Sequence, residues 1–118
     1  METSSDHRLL RIFVGESDTH EGRPLHLAII ETLRGDGLAG ATALRGIEGF
    51  GASSRLHTAH ILRLSDDLPI VIECVDTAVA IERILPVIEA MVGDGLVTLE
   101  RVEVRMYRAG SGEADPPG

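Results

Sequence analysis

Two segments with helical periodicity, each followed by the tripeptide Gly-Asp-Gly, constrain the fold of this chain most strongly. The first follows Pro24, a residue suited to a first helical turn, and its apolar stripe consists of Leu25, Ala28, Ile29 and Leu33. The second can be capped by Asp76 or Thr77, and its apolar stripe consists of Ile81, Ile84, Leu85, Ile88, Met91 and Val92. Residues 35–37 and 93–95 should end the two helices, and Pro86 should kink the second one.

Four segments with strand character surround these helices. They cover residues 8–15, 38–47, 68–75 and 96–108, and each shows apolar alternation or β-branched residues. In the last segment, Val102, Val104 and Met106 are expected on the packed face. The order of elements predicts an α+β protein, a ferredoxin-like βαββαβ sandwich with an antiparallel sheet and two helices on one face.

The second face of this sheet is predicted to be covered by other copies of the chain. Val71 and Val75 flank Glu73 on that face of the third predicted strand. So much apolar surface is unusual on a monomer, and a closed oligomer would bury it without leaving a free edge.

Length and composition indicate one ordinary globular domain with little affinity for polyanions. The chain has 118 residues, 43% of them hydrophobic, and a net charge of −8, so neither a nucleic acid polymer nor an anionic membrane is an expected partner. Residues 1–7 and 109–118 are polar and are expected to be flexible around a domain at 8–108. The single Cys74 lies in an apolar run and is interpreted as a core residue, and the absence of a signal or membrane segment favours a cytoplasmic protein.

A glycine- and serine-rich loop, residues 46–60, is the main candidate for a binding site. Its segment 49–55 (GFGASSR) combines backbone N–H groups, two hydroxyls and a guanidinium, which suits phosphate oxygens. Arg45 can reach the same place, and Phe50 offers a flat surface to a base or a partner. The alternative is structural: the glycines make turns, Phe50 fills a gap and the serines cap a short helix.

Two further readings of the same loop are weaker. His57 and His60 would share one face of a helix and could hold a metal ion, but no third ligand lies nearby, so no metal is predicted. Ser53 or Ser54 with His57 would make a hydrolase, but no GxSxG motif occurs and no adjacent carboxylate orients the base. The protein is therefore not expected to be an enzyme.

Four runs resemble a family of small PII-like proteins catalogued as a domain of unknown function. These runs are LRIFVGESD, GLAGATALRGIEGFGASSRLHT, LSDDLPIVIECVD and GLVTLERVEV, and the likeness extends over residues 9–104. It implies a trimer with the sheets turned inward, which binds an adenine nucleotide between subunits and regulates a transporter or enzyme through a loop. Two departures stand out, because the phosphate-binding loop after the second helix is reduced to Gly-Asp-Gly and the modified loop tyrosine has no counterpart.

The sequence therefore predicts a PII-like signalling protein that binds ADP or ATP and regulates its partner through residues 49–60. A homotrimer of about 38 kDa, three times the chain mass of 12.7 kDa, is expected. The alternative is a ligand-independent interaction module that acts on a membrane transporter. The predicted ligand-binding residues are Arg45, Gly49, Phe50, Gly51, Ala52, Ser53, Ser54 and Arg55, with Glu16 and Ser17 for the ribose or base and Arg101 from a neighbouring subunit.

Overall fold

The computed structural model describes residues 6–47 and 68–109, and every structural statement below refers to these residues. The elements in chain order are β1 (His7–Gly15), β2 (Thr19–His20), β3 (Arg23–Pro24), α1 (Leu25–Gly35), β4 (Thr42–Arg45), β5 (Pro69–Thr77), α2 (Ala78–Met91) and β6 (Leu96–Val102).

The main sheet has the strand order β4-β5-β1-β6, and all neighbouring strands are antiparallel. Both helices pack on one face of this sheet, because the buried residues of α1 and α2 form one cluster with alternate residues of β1 and β5. The predicted ferredoxin-like α+β fold is thereby confirmed.

The core consists of aliphatic side chains from two helices and two central strands. The buried residues of α1 are Leu25, Ala28, Ile29 and Leu33, as predicted. Those of α2 are Ile81, Ile84 and Ile88, while Leu85, Met91 and Val92 pack against the core from partly buried positions. The sheet contributes Leu10, Ile12, Val14, Ile70, Ile72 and Cys74. Burial raises the pKa of the Cys74 thiol to about 11, so this residue is protonated at neutral pH and acts as a core side chain.

The start of α2 uses both residues predicted as possible caps. The Thr77 hydroxyl accepts a hydrogen bond from the Ala80 N–H at 3.1 Å and is the true N-cap. The buried Asp76 carboxylate accepts from the N–H groups of Thr77 and Ala39, each at 2.7 Å. Asp76 thus ties the connection after α1 to the end of β5.

Several details of the strands differ from the predictions. The last strand ends at Val102 and not at residue 108, because Val102 pairs with His7, the first residue of β1, and no strand within residues 6–47 and 68–109 lies beside the chain after that point. Val102 pairs with His7, and alternation along β1 puts His7 on the same face as Arg11 and Phe13, which is the face without helices. The expectation that Val102 packs into the core was therefore wrong. The second predicted strand is shortened to Thr42–Arg45, and residues 16–24 contain the hairpin β2–β3, whose turn has positive φ angles at Glu21 and Gly22.

The helices α1 and α2 of the described residues contain 11 and 14 residues, which is too short for either to span a lipid bilayer.

Candidate functional site

The last residues of β1 and β4 and the first residues of β5 and β6 lie together at one end of the strands of the main sheet. The register pairs Gly15 with Pro69, Arg45 with Ile70 and Phe13 with Leu96. We call this end, with the adjoining residues 16–18, 46–47, 68 and 93–95, the loop edge. Its position follows from the strand directions, because β1 and β4 both run towards this side of the sheet and β5 and β6 both run away from it.

Arg45 and Glu16 meet at the loop edge. The Nε atom of Arg45 lies 3.2 Å from Oε1 of Glu16, and both side chains remain partly accessible to solvent. Because the ion pair uses Nε, the terminal nitrogens of the guanidinium are not part of it. The sequence predicted that these two residues would lie near the same edge, and the structure places them in contact.

The ends of the segment that carries the candidate loop are also attached to the loop edge. The Gly46 N–H donates to the Pro69 carbonyl at 2.8 Å, and the Glu16 N–H donates to the Leu68 carbonyl at 2.8 Å. The predicted ligand residues 49–55 lie outside the described residues, as do His57 and His60. Their predicted roles stay predictions.

The short turn after β1 orients Glu16 and Ser17. Asp18 Oδ2 accepts a hydrogen bond from the Gly15 N–H at 2.9 Å, and the Asp18 N–H donates to the Gly15 carbonyl at 3.1 Å. Ser17 is exposed at this turn. The Asp18 carbonyl then accepts from the Leu25 N–H at 2.8 Å, which fixes the turn to the start of α1.

The Gly-Asp-Gly tripeptide after α2 closes against the end of β1. A Cβ atom at Gly95 would lie 2.6 Å from the Phe13 carbonyl oxygen and 2.9 Å from Cγ1 of Val92. Only glycine fits this position without movement of the backbone. The tripeptide therefore brings β6 directly against the loop edge.

Gly95→Ala should destabilise the protein by about 1–3 kcal/mol, because the added methyl group must displace the end of β1 or α2. Urea unfolding followed by circular dichroism measures this free energy. Gly93→Ala is the matched control, since a Cβ at Gly93 would meet no atom within 4 Å. Equal stability of the two variants would contradict the proposed packing.

Arg101 lies at the other end of the same sheet. It pairs with Arg8 near the start of β1, whereas the loop edge is at the end of β1. Within one chain Arg101 is thus not brought together with Arg45 or Glu16. Its predicted role requires a second subunit and stays a prediction.

The sheet face without helices, which we call the open face, carries a charged cluster that the sequence alone did not reveal. Arg11 Nε donates to Glu73 Oε2 at 2.9 Å, and Arg11 Nη1 lies 3.5 Å from Glu100 Oε1. The hydrogen bond to Glu73 raises the pKa of Arg11 above its usual value. The cluster could have been predicted only from the strand register, since Arg11 and Glu73 are 62 positions apart in the sequence.

The connection between α1 and β4 separates two grooves. One, of about 400 Å³, opens on the open face beside Thr42, Glu73 and Tyr107. The other, of about 450 Å³, lies beside α1 and includes Arg34 and Leu38. Residues 39–41 line both grooves, and neither groove includes Arg45 or Glu16.

Within the described ranges, no three His, Cys, Asp or Glu side chains are grouped so that they could hold a metal ion.

Comparison with known proteins connects this architecture to a family. Residues 7–104 match DUF190, a family described as "Uncharacterized ACR". The chain belongs to the DUF190 family. The DUF190 match begins at the first residue of β1 and ends two residues after β6, so it includes the whole sheet, both helices and the loop edge.

Curated relatives share most of their length with this DUF190 chain. A UPF0166 protein of Aquifex aeolicus is 38% identical over 97 residues, which is 82% of this chain and 91% of the relative. A UPF0166 protein of Methanocaldococcus jannaschii is 37% identical over 93 residues, or 78% of this chain and 85% of the relative. A second Aquifex aeolicus UPF0166 protein is 32% identical over 96 residues, or 81% and 94%.

Proposed function

We propose that this protein is a non-catalytic, PII-like signalling protein that binds ADP or ATP at the loop edge. In this proposal it is a cytoplasmic homotrimer that regulates a membrane transporter or an enzyme through residues 49–60. One observation carries the proposal: both attachments of the glycine- and serine-rich segment lie at the edge where Arg45 contacts Glu16. Nucleotide binding at this edge would therefore act directly on the loop that meets the partner.

The chemistry of the loop edge suits a phosphorylated ligand. Arg45 is a guanidinium with terminal N–H groups outside its ion pair, and phosphate oxygens are good bidentate acceptors for such groups. Glu16 is a partly accessible carboxylate that can accept hydrogen bonds from ribose hydroxyls. The backbone N–H groups and hydroxyls of residues 49–55 would add neutral donors to the phosphates.

The open face supports the proposed trimer. Leu9, Phe13, Val71 and Val75 are only half-buried there, and Leu44 and Leu96 are exposed. Association of three copies through this face would remove the apolar surface from water. It would also allow Arg101 of one copy to approach the loop edge of another, which Arg101 does not reach within its own chain.

Isothermal titration calorimetry with ADP, ATP and AMP tests the nucleotide proposal. We expect ADP or ATP to bind wild-type protein with one ligand per chain. Arg45→Ala should weaken that binding at least about tenfold, because it removes a charged hydrogen-bond donor to phosphate. Arg55→Ala should weaken it in the same direction.

Arg83→Ala is the matched control. Arg83 Nε lies 3.2 Å from Asp36 Oδ2, and the Arg83 side chain is 55% exposed, against 52% for Arg45. Arg83→Ala removes the same charge as Arg45→Ala and breaks a similar ion pair, here between α2 and the residue after α1. Nucleotide affinity should therefore not change. If none of the three nucleotides bound, the nucleotide proposal would be contradicted, and the alternative of a ligand-independent interaction module would be favoured.

A further inference from the structure

The charged cluster on the open face lies in an apolar environment. Cross-strand pairing places Arg11 opposite Glu73 on β5 and Thr98 on β6. The adjacent pairs are Phe13 with Val71 and Leu96, and Leu9 with Val75 and Glu100. The cluster is thus central on the surface that the proposed trimer would bury.

The cluster has one positive charge and two negative charges. The Arg11 and Glu73 side chains are 35% and 32% exposed and share a hydrogen bond, so they form the closer pair. Glu100 is 58% exposed and lies farther from the guanidinium, at 3.5 Å. The negative charge of Glu100 is therefore stabilised mainly by water, whereas that of Glu73 is stabilised mainly by Arg11.

The other charged or titratable groups on the open face lie near the start of β1, at the end of the sheet opposite the loop edge. On β1, His7 is buried, and its Nε2 has no hydrogen-bond partner among the described residues. The side chains of β4 on this face are uncharged: Thr42 and Leu44. After β6, Tyr107 lines the groove on the open face, while Glu103, Arg105 and Arg108 are exposed to solvent.

We propose that association of copies through the open face takes up protons at the cluster of Arg11, Glu73 and Glu100. This inference rests on the trimer proposed above. Covering the face removes water from Glu100, and Arg11 can neutralise only one of the two carboxylates. A carboxylate without a matching charge is accommodated in a dry interface by protonation, so acidity strengthens the assembly.

The sign of the pH dependence follows from linkage. Burial without a matching charge raises the pKa of a carboxylate in the assembled state above its value in the free chain. Protonation then favours assembly, so the association constant is highest at low pH and falls as pH rises towards the assembled-state pKa. Where each of three chains takes up one proton, the constant changes by up to about 1000-fold per pH unit.

Sedimentation equilibrium of the full chain between pH 5.5 and 8 tests this inference, with added guanidinium chloride where dilution alone does not dissociate the assembly. Wild-type protein should associate more tightly as pH falls. Glu100→Gln removes the excess charge, so it should associate more tightly than wild type at pH 8 and show a much smaller pH dependence. Circular dichroism at each pH verifies that the chains remain folded.

Two further variants exclude other causes. Glu89→Gln makes the same chemical change on an exposed position of α2 and should retain the wild-type pH dependence. His7→Asn should retain it as well, because the inference assigns the proton to a carboxylate. Loss of the pH dependence in His7→Asn would overturn the assignment.

The inference and the trimer fail in different ways. A trimer whose association constant is the same across this pH range would overturn proton uptake and leave the trimer in place. Monomers at every pH, in both wild type and Glu100→Gln, would overturn both proposals. Association that strengthens with rising pH would also contradict the inference.

Discussion

Val71→Glu should convert the proposed trimer of about 38 kDa into a monomer with the chain mass of 12.7 kDa. Val71 is half-buried on the open face, where it pairs with Phe13 on one side and Leu44 on the other. A carboxylate there would be hydrated in the free chain and would lose that hydration in a sheet-to-sheet interface. Light scattering coupled to size-exclusion chromatography at micromolar concentration measures the mass.

Val79→Glu is the matched control for this experiment. Val79 is 76% exposed on α2, on the opposite side of the sheet from the open face, so the same change should leave the mass unchanged. A monomeric mass for the wild-type protein would contradict the proposed trimer. An intact trimer in Val71→Glu would show that the open face is not the interface.

Ile72→Ala should cause the largest loss of folding stability, about 2–5 kcal/mol. Ile72 has no exposed surface, and it lies in the central strand β5 between Ile12 of β1 and Ala43 of β4. Its truncation removes three methyl or methylene groups from the layer between the sheet and the helices and leaves a cavity there. Denaturant unfolding at a fixed chain concentration measures the change, because association also contributes to stability.

Ile47→Ala provides the control for the same chemical change. Ile47 is 85% exposed and lies two residues after the end of β4, so its truncation should change the unfolding free energy by less than about 0.5 kcal/mol. A similar loss in both variants would contradict the core assigned to this fold.

The two predictions concern opposite faces of the same strand. Alternate residues of β5 point to the helices and to the open face, so Ile72 contributes to the fold of one chain and Val71 to contacts between chains. The continuous apolar run 68–75 identified the strand from sequence. Alternation placed Val71 and Val75 on the face without helices, as the structure has them, but their partners on the neighbouring strands came only from the register.

Local patterns were sufficient for the elements that bury a regular stripe. The apolar spacing in α1 predicted all four of its buried residues, and the run 8–15 predicted β1 to within one residue. These predictions succeeded because one face of each element must be apolar, and the period of 3.6 or 2 is visible within a single segment. The chain order of such elements then restricted the fold to very few possibilities.

Contacts between distant residues could not be predicted in the same way. Asp76 binds the N–H of Ala39 across 37 positions, and Arg45 meets Glu16 across 29. Proximity of Arg45 and Glu16 to one edge was predicted, but their contact depends on how far each strand extends. The end of β6 was misplaced for the same reason, since the residues after Val102 have strand-like alternation but pair with no strand in the part of the chain that the structure describes.

The sequence by itself determined the element order, the apolar faces of both helices and the chemistry available in the loop, because these depend on residues close together in the chain. Only the tertiary structure decided that Arg11 lies between Glu73 and Glu100 and that Val102 faces away from the helices. Both outcomes follow from strand register, and a shift of one residue would reverse every side chain on a strand. Register is set by packing of the whole sheet against the helices, so no single segment contains it.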